Sequence, residues 1–144
     1  RLLAMIPDAA KGDDLPAAVE MAKFFITLHP GLYQGEDPAL FEFLSLPECV
    51  FCSSSVSSAR NQLARGEMQV GGDLTVADGV AESVLDLETD TALVGFDVTE
   101  AAYQVRDSEG ALISEREAKG LKFALALELV NGVWRVAGVD IESA

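Results

Sequence analysis

No apolar run in this sequence approaches the ~20 residues that cross a bilayer, which excludes a helical membrane span within it. Cations are scarce as well: 10 Lys and Arg stand against 24 Asp and Glu, for a formal charge of −14. Nucleic acid is therefore a poor partner, because phosphate neutralisation needs clustered Lys and Arg. Anionic membrane surfaces are disfavoured for the same reason. There is one histidine, His29, and there are two cysteines, Cys49 and Cys52. A lone Cys-x-x-Cys cannot form a four-thiolate zinc site, and with His29 as the sole reserve a three-ligand site is strained. No Gly-x-Ser-x-Gly turn supports a Ser-His-Asp triad, and Ser53-Ser54-Ser55 reads as a run of helix caps. Internal repeats and low-complexity tracts are missing too. These gaps leave no expected metal or cofactor.

What is present is enough for one folded domain. A chain of 144 residues that is 49% hydrophobic buries roughly 68 to 70% of its unfolded surface. Residues 1–13 read as a lead-in segment and 14–144 as the domain. Asp14 is the expected N-cap of a first helix, with Pro16 in its first turn. Val19, Ala22, Phe25 or Ile26, and His29 then recur at helical spacing beside Met21, Phe24 and Leu28, the pattern of a buried helix. Pro30-Gly31 is expected to end or kink it. Asp37 and Pro38 open a short second helix through Leu40, Phe41 and Leu44, ending near Pro47. A third is expected from near Cys52, with Val56, Ala59 and Leu63 in phase and Gly66 as its stop.

After Gly71-Gly72 the chain turns β-branched and alternating. Leu74 to Leu87 and Thr91 to Val105 read as two long strands about the turn Glu88-Thr89-Asp90, with bulges near Gly79 and Glu100-Ala101. Ala111 to Arg116 is expected to return against Tyr103 to Arg106 around Asp107-Ser108-Glu109-Gly110. The clearest signal is the last. Leu121, Phe123, Leu125, Leu127 and Leu129 alternate up to Asn131-Gly132, which predicts a two-residue hairpin with Leu129 opposite Trp134 and Leu127 opposite Val136. Helices first and strands after predict an α+β domain with an antiparallel sheet.

Three helices followed by a curved antiparallel sheet that ends in Gly132-Val133-Trp134-Arg135-Val136 resemble the nuclear transport factor 2-like cone fold. Gly35-Glu36-Asp37, Pro47-Glu48-Cys49-Val50-Phe51-Cys52, Gly71-Gly72 and that closing hairpin together resemble an uncharacterised actinobacterial family of secreted lipoprotein domains, over roughly residues 15–142. The resemblance implies the cone, export and a lipid anchor outside this sequence, but no reaction. The sequence itself opens at Arg1 without a signal peptide, so the expectation is either a cytosolic protein or an export segment ahead of Arg1.

Against that background the cysteines read first as a structural disulfide that pins the start of the third helix, a loop closure worth about 2 kcal/mol. Free thiols and redox chemistry stay open, although the thioredoxin arrangement follows a strand, which is not the case here. His29, on the first helix's stripe, reads as a satisfied histidine before a general base. Asp86, Glu88 and Asp90 alternate like a calcium loop, but Thr91 stands where glycine is needed, and a solvated turn is the better account.

Enzymes of the cone fold shift the pKa of an acid in an apolar pocket. The weak catalytic candidates are Asp140, Tyr33 and Tyr103. Asp140 faces inward if the hairpin is regular and outward if a bulge lies near Gly138; the outward case is favoured because a buried unpaired carboxylate costs several kcal/mol. Trp134, Leu127, Leu125 and Phe123 are the expected pocket lining. The sequence thus reads as a non-catalytic binding or accessory domain of an exported, lipid-anchored cell-surface protein, with a small-molecule lyase or isomerase as the alternative. Its expected partner is a small apolar ligand or a protein, a second copy included, with membrane contact only through the anchor.

Overall fold

The computed structural model describes residues 1–77 and 82–144. Helix α1 runs Leu15–Tyr33, and Asp14 caps it by accepting the Ala17 amide at 3.0 Å. Its buried face carries Ala17, Ala18, Met21, Ala22, Phe25 and Ile26. The expected stop at Pro30-Gly31 does not occur. Pro30 lies inside the helix, and the last turn is held by burial of Pro30 and Leu32. That burial offsets much of the ~3 kcal/mol an interior proline costs. The helix yields at Gly35 instead, whose φ of 81° few other residues tolerate.

Asp37 accepts the Ala39 amide at 2.9 Å from one residue further out than expected: Pro38 stands at the N-cap rather than inside the first turn, and α2 runs only Ala39–Leu44, short of Pro47. Helix α3, Val50–Ala64, begins slightly before the expected Cys52: Cys49 is its N-cap, and the Cys49 sulfur accepts the Cys52 amide at 3.2 Å. Cys49 and Cys52 form a disulfide, and both are buried. Ahead of α1, two 3-10 turns, Leu2–Met5 and Asp8–Ala10, flank Ile6, which joins Ala10 in the core.

Among the described residues eight strands follow: β1 Met68–Gly71, β2 Leu74–Val76, β3 Glu82–Asp86, β4 Thr91–Glu100, β5 Tyr103–Arg106, β6 Leu112–Arg116, β7 Lys119–Val130 and β8 Val133–Ser143. The larger antiparallel sheet has the order β2, β4, β7, β8, with β3 pairing β4 further along the same edge as β2. A smaller sheet has the order β1, β5, β6. The single strand expected over Leu74–Leu87 is thus β2 and β3, and the bulge expected near Gly79 lies outside the described residues. The strand expected over Thr91–Val105 is likewise divided. β4 stops at Glu100, and β5 belongs to the other sheet.

The cause of that division is local. Ala101 gives its amide to the Asp73 carbonyl at 2.9 Å, and Gly72 gives its own to the Ala102 carbonyl at 3.2 Å. The chain is therefore tied across the gap between sheets. A Cβ at Gly71 would stand 2.6 Å from the Ala102 oxygen, so the approach requires glycine.

The closing hairpin matches its expected register, with Leu129 opposite Trp134 and Leu127 opposite Val136. Asn131 and Gly132 turn at φ 52° and 79°. Beyond Val136 the register shifts: Ala126 pairs with Gly138, so Ala137 is the extra residue of a bulge. Ile141 thereby comes opposite Phe123, and Asp140 opposite Ala124. Trp134, Val136, Leu125, Leu127 and Val94 meet Phe25, Met21 and Ile26 to fill the space between α1 and the large sheet.

Candidate functional site

The end of α1, α3 and one face of the small sheet, with Leu74 of β2 and Glu100 at the end of β4, line an open cavity of about 280 Å³. His29 and Tyr33 are four residues apart on α1 and so project to one side, and both line it. The uninterrupted passage of α1 through Pro30 is what carries Tyr33 there. Gln62 enters from α3. On β5, Tyr103 and Val105 alternate inward, and the β6 residues opposite them, Arg116 and Ser114, complete the wall.

His29 is held from several sides. Its Nε2 and the Ser55 Oγ are 3.0 Å apart. Its ring stacks on Phe51 with centroids 5.1 Å apart and tilts against Tyr33 at 5.4 Å. Burial pushes the imidazole down from an ordinary 6.5 to about 4, so it is neutral at physiological pH. Gln62 buries its Nε2 without a partner among the described residues. Arg116 gives one guanidinium N–H to the Glu115 carbonyl at 3.2 Å and makes no ion pair among the described residues. Glu100, also at the cavity, lies 3.9 Å from Lys119. The arrangement offers hydrogen-bond donors and acceptors around an apolar floor of Pro30, Leu74 and Val105.

Of the sequence candidates, Tyr33 and Tyr103 meet in this cavity, and Asp140 does not join them. Asp140 is exposed on the outer side of β8 beside a separate groove. The bulge at Ala137 sets this, by turning the residues after it over. Trp134, Leu127, Leu125 and Phe123 are buried core residues, and none of them lines the cavity. Trp134 gives its indole N–H to the Asp14 carbonyl at 3.1 Å. Asp86 accepts the Glu88 amide at 3.0 Å within the β3–β4 turn. Ser55, read from the sequence as one of a run of caps, instead lies within α3 and holds His29. Gln62, Arg116 and Ser114 were not singled out. A regular hairpin continued from the Arg106–Leu112 pair would set Ile113 and Glu115 opposite Val105 and Tyr103, and it is the register shift between Val105 and Arg106 that brings Ser114 and Arg116 there instead.

No protein-family model and no curated protein matches the chain. Solved structures do. The intermembrane-space region of the chloroplast protein ARC6 superposes with a TM-score of 0.69 at 10% identity, over 91% of this chain and 98% of that one. An NTF2-like protein from Cytophaga hutchinsonii gives 0.54 at 10% identity over 86% and 92%. A protein with a cystatin-like fold from Caulobacter vibrioides gives 0.54 at 13% identity over 92% and 89%. Identities this low carry the fold alone, and the fold serves enzymes and binding domains alike. With three helices on a curved antiparallel sheet, this chain has the nuclear transport factor 2-like cone.

Proposed function

We propose that the domain is a non-catalytic binding module of an exported protein, and that it holds a small molecule in the cavity between α1, α3 and the small sheet. The observation that carries this reading is the lining itself. A neutral His29 tied to Ser55, two tyrosines, Gln62 and Arg116 surround an apolar floor, which suits a ligand with an apolar body and oxygen-bearing groups. At about 280 Å³ the cavity is just below the usual range for drug-sized ligands, so the ligand is small. The wholly apolar ligand expected from the sequence fits this lining less well.

Export is supported by the buried disulfide, since such bonds persist in oxidising compartments. The ARC6 region that shares the fold is itself from an intermembrane space. A lipid anchor upstream, as in the lipoprotein domains the sequence resembles, would hold the module at the cell surface. The second reading is a proton-transfer lyase or isomerase with His29, rather than Asp140, as base; a neutral imidazole in the same cavity as Tyr33 and Tyr103 favours it.

A fragment screen followed by two-dimensional NMR tests the main reading. Hits should shift the amides of Tyr33, Tyr103 and Ser114, and Ser114→Trp, which fills the cavity, should abolish them. Hits that ignore the cavity, or that survive the tryptophan, would remove the proposal. Turnover of a hit that is lost in His29→Gln while binding persists would replace it with the enzyme.

A further inference from the structure

A second concavity, of about 270 Å³, runs from Leu93 on β4 across β7 to the edge strand β8, with the start of α3 beside it. β8 is a terminal strand, and among the described residues its outer edge is hydrogen-bonded at one place: Ser45 bridges Val136 in parallel, and Leu46 gives its amide to the Val136 carbonyl at 2.8 Å. Past Val136 comes the bulge. From Ala137 to Glu142 the side of β8 away from β7 has no strand partner among the described residues. An uncovered edge is a template for another extended chain.

The groove along that edge has an apolar floor and an acidic rim. Ala126 and Gly138, cross-strand neighbours, form the floor, and Phe51 with Val50 form one wall. Val50 is 75% exposed, at the first residue of α3. Glu48 and Asp140 stand on the rim, both exposed. Glu48 also crowds Glu128, whose carboxyl pKa is raised by the hydrogen bond between the two groups, then by burial and by like charge. Arg135, opposite Glu128, is turned over the Phe43 ring at 4.2 Å, and Lys122, two positions along β7 from the partner of Asp140, is paired with Asp97 at 3.6 Å. The rim thus has negative charge with no cation among the described residues to meet it.

We propose that this groove docks an extended basic segment of a partner protein. An apolar side chain of the segment sits on Ala126 and Gly138, its Lys or Arg side chains reach Glu48 and Asp140, and its backbone continues the sheet beyond β8. A second copy of this chain is the poorer occupant. A two-fold would bring the same acids face to face on molecules that each carry −14.

The probe is a fluorescein-labelled peptide of alternating Lys and Val, six residues long, read by anisotropy at ~0.15 M salt, where general attraction is screened beyond about 8 Å. Gly138→Val fills the floor without a clash, since a Cβ at Gly138 meets nothing within 4 Å. It should weaken binding at least about tenfold, as should the pair Glu48→Gln with Asp140→Asn. The pair Glu109→Gln with Glu117→Gln removes the same charge from exposed positions elsewhere and should change affinity less than about twofold. A peptide with Ser in place of Val should bind at least about tenfold more weakly, because the floor is apolar. Should Gly138→Val fail to fold, the charge pair carries the test alone. No binding to the wild type, or equal losses from the two charge pairs, overturns the proposal. So does a dimer in sizing experiments that Gly138→Val converts to monomer, which would assign the groove to self-association.

Discussion

The two ends of this fold use one strand pattern for opposite purposes. Beneath α1, the inward residues of β4, β7 and β8 interdigitate with Met21, Phe25 and Ile26 and leave Trp134, Leu125, Leu127 and Val136 fully enclosed. Beside the end of α1, the inward residues of β5 and β6 are Tyr103, Val105, Ser114 and Arg116, and they face a space. The difference comes from what each sheet packs against. The large sheet meets the small, apolar face of α1 directly, whereas the small sheet meets its last turn and α3, where His29, Tyr33 and Gln62 hold polar atoms. A cone is filled where its helix is close and open where it is not.

Changes at the filled end should cost most. Trp134→Ala removes the largest enclosed side chain and an indole hydrogen bond, so urea unfolding should show a loss of roughly 3 to 5 kcal/mol. A loss under about 1 kcal/mol would mean that this end tolerates voids as the cavity end does, and the contrast would fail.

The next effect belongs to His29, at the boundary. Its folded pKa is lowered, so between 6.5 and about 4 the unfolded chain binds a proton that the folded chain refuses. Stability supplied by the neutral ring is whole above pH 6.5 and falls as pH drops through that window. Relative to His29→Gln, the wild type should lose up to roughly 3 kcal/mol between pH 7 and pH 4 in denaturant titrations. Parallel pH curves for the two proteins would place His29 in water rather than against Phe51.

Reducing the disulfide should cost about 2 kcal/mol, from a loop this short. Its effect should concentrate where α3 starts and should reach the cavity through Phe51 and Ser55, visible as shifts of the His29 ring signals. Intact-mass measurement after alkylation without reductant should find both thiols protected, and two alkylated thiols would remove the argument for export. The smallest effect is expected at the open end. Gln62→Leu deletes a buried nitrogen that has no partner among the described residues, and should leave stability unchanged or raise it by about 1 kcal/mol. A clear loss there would mean the cavity side is packed after all.

The sequence was most legible where one rule acted alone. Leu121 to Leu129 alternate without a break and Asn131-Gly132 admits one turn, so register followed down to single pairs. Asp14 and Asp37 announced their helices in the same way. Legibility failed where tertiary contacts overrode local preference. Pro30 reads as a stop, but burial of Leu32 carries α1 onward and delivers Tyr33. Glu100-Ala101 reads as a bulge within one long strand, but hydrogen bonds to Asp73 and Gly72 move the chain from one sheet to the other. The cavity was the least visible, because its residues come from helices and strands far apart in the chain and none has an unusual neighbourhood in sequence. Asp140 lay between these cases: a bulge decided its side, and alternation alone pointed the other way.

The hydrogen bond from Trp134 to the Asp14 carbonyl spans 120 residues of sequence. In order of synthesis, it joins the cap of α1, made early, to β8, made more than a hundred residues later. A chain halted at Asn131 already contains α1, α2, α3 and the strands through β7, yet it lacks the tryptophan that closes the base of α1 and the edge to which Ser45 and Leu46 attach. The base of α1 therefore closes only through contacts made across most of the described chain, a high contact-order arrangement that slows folding.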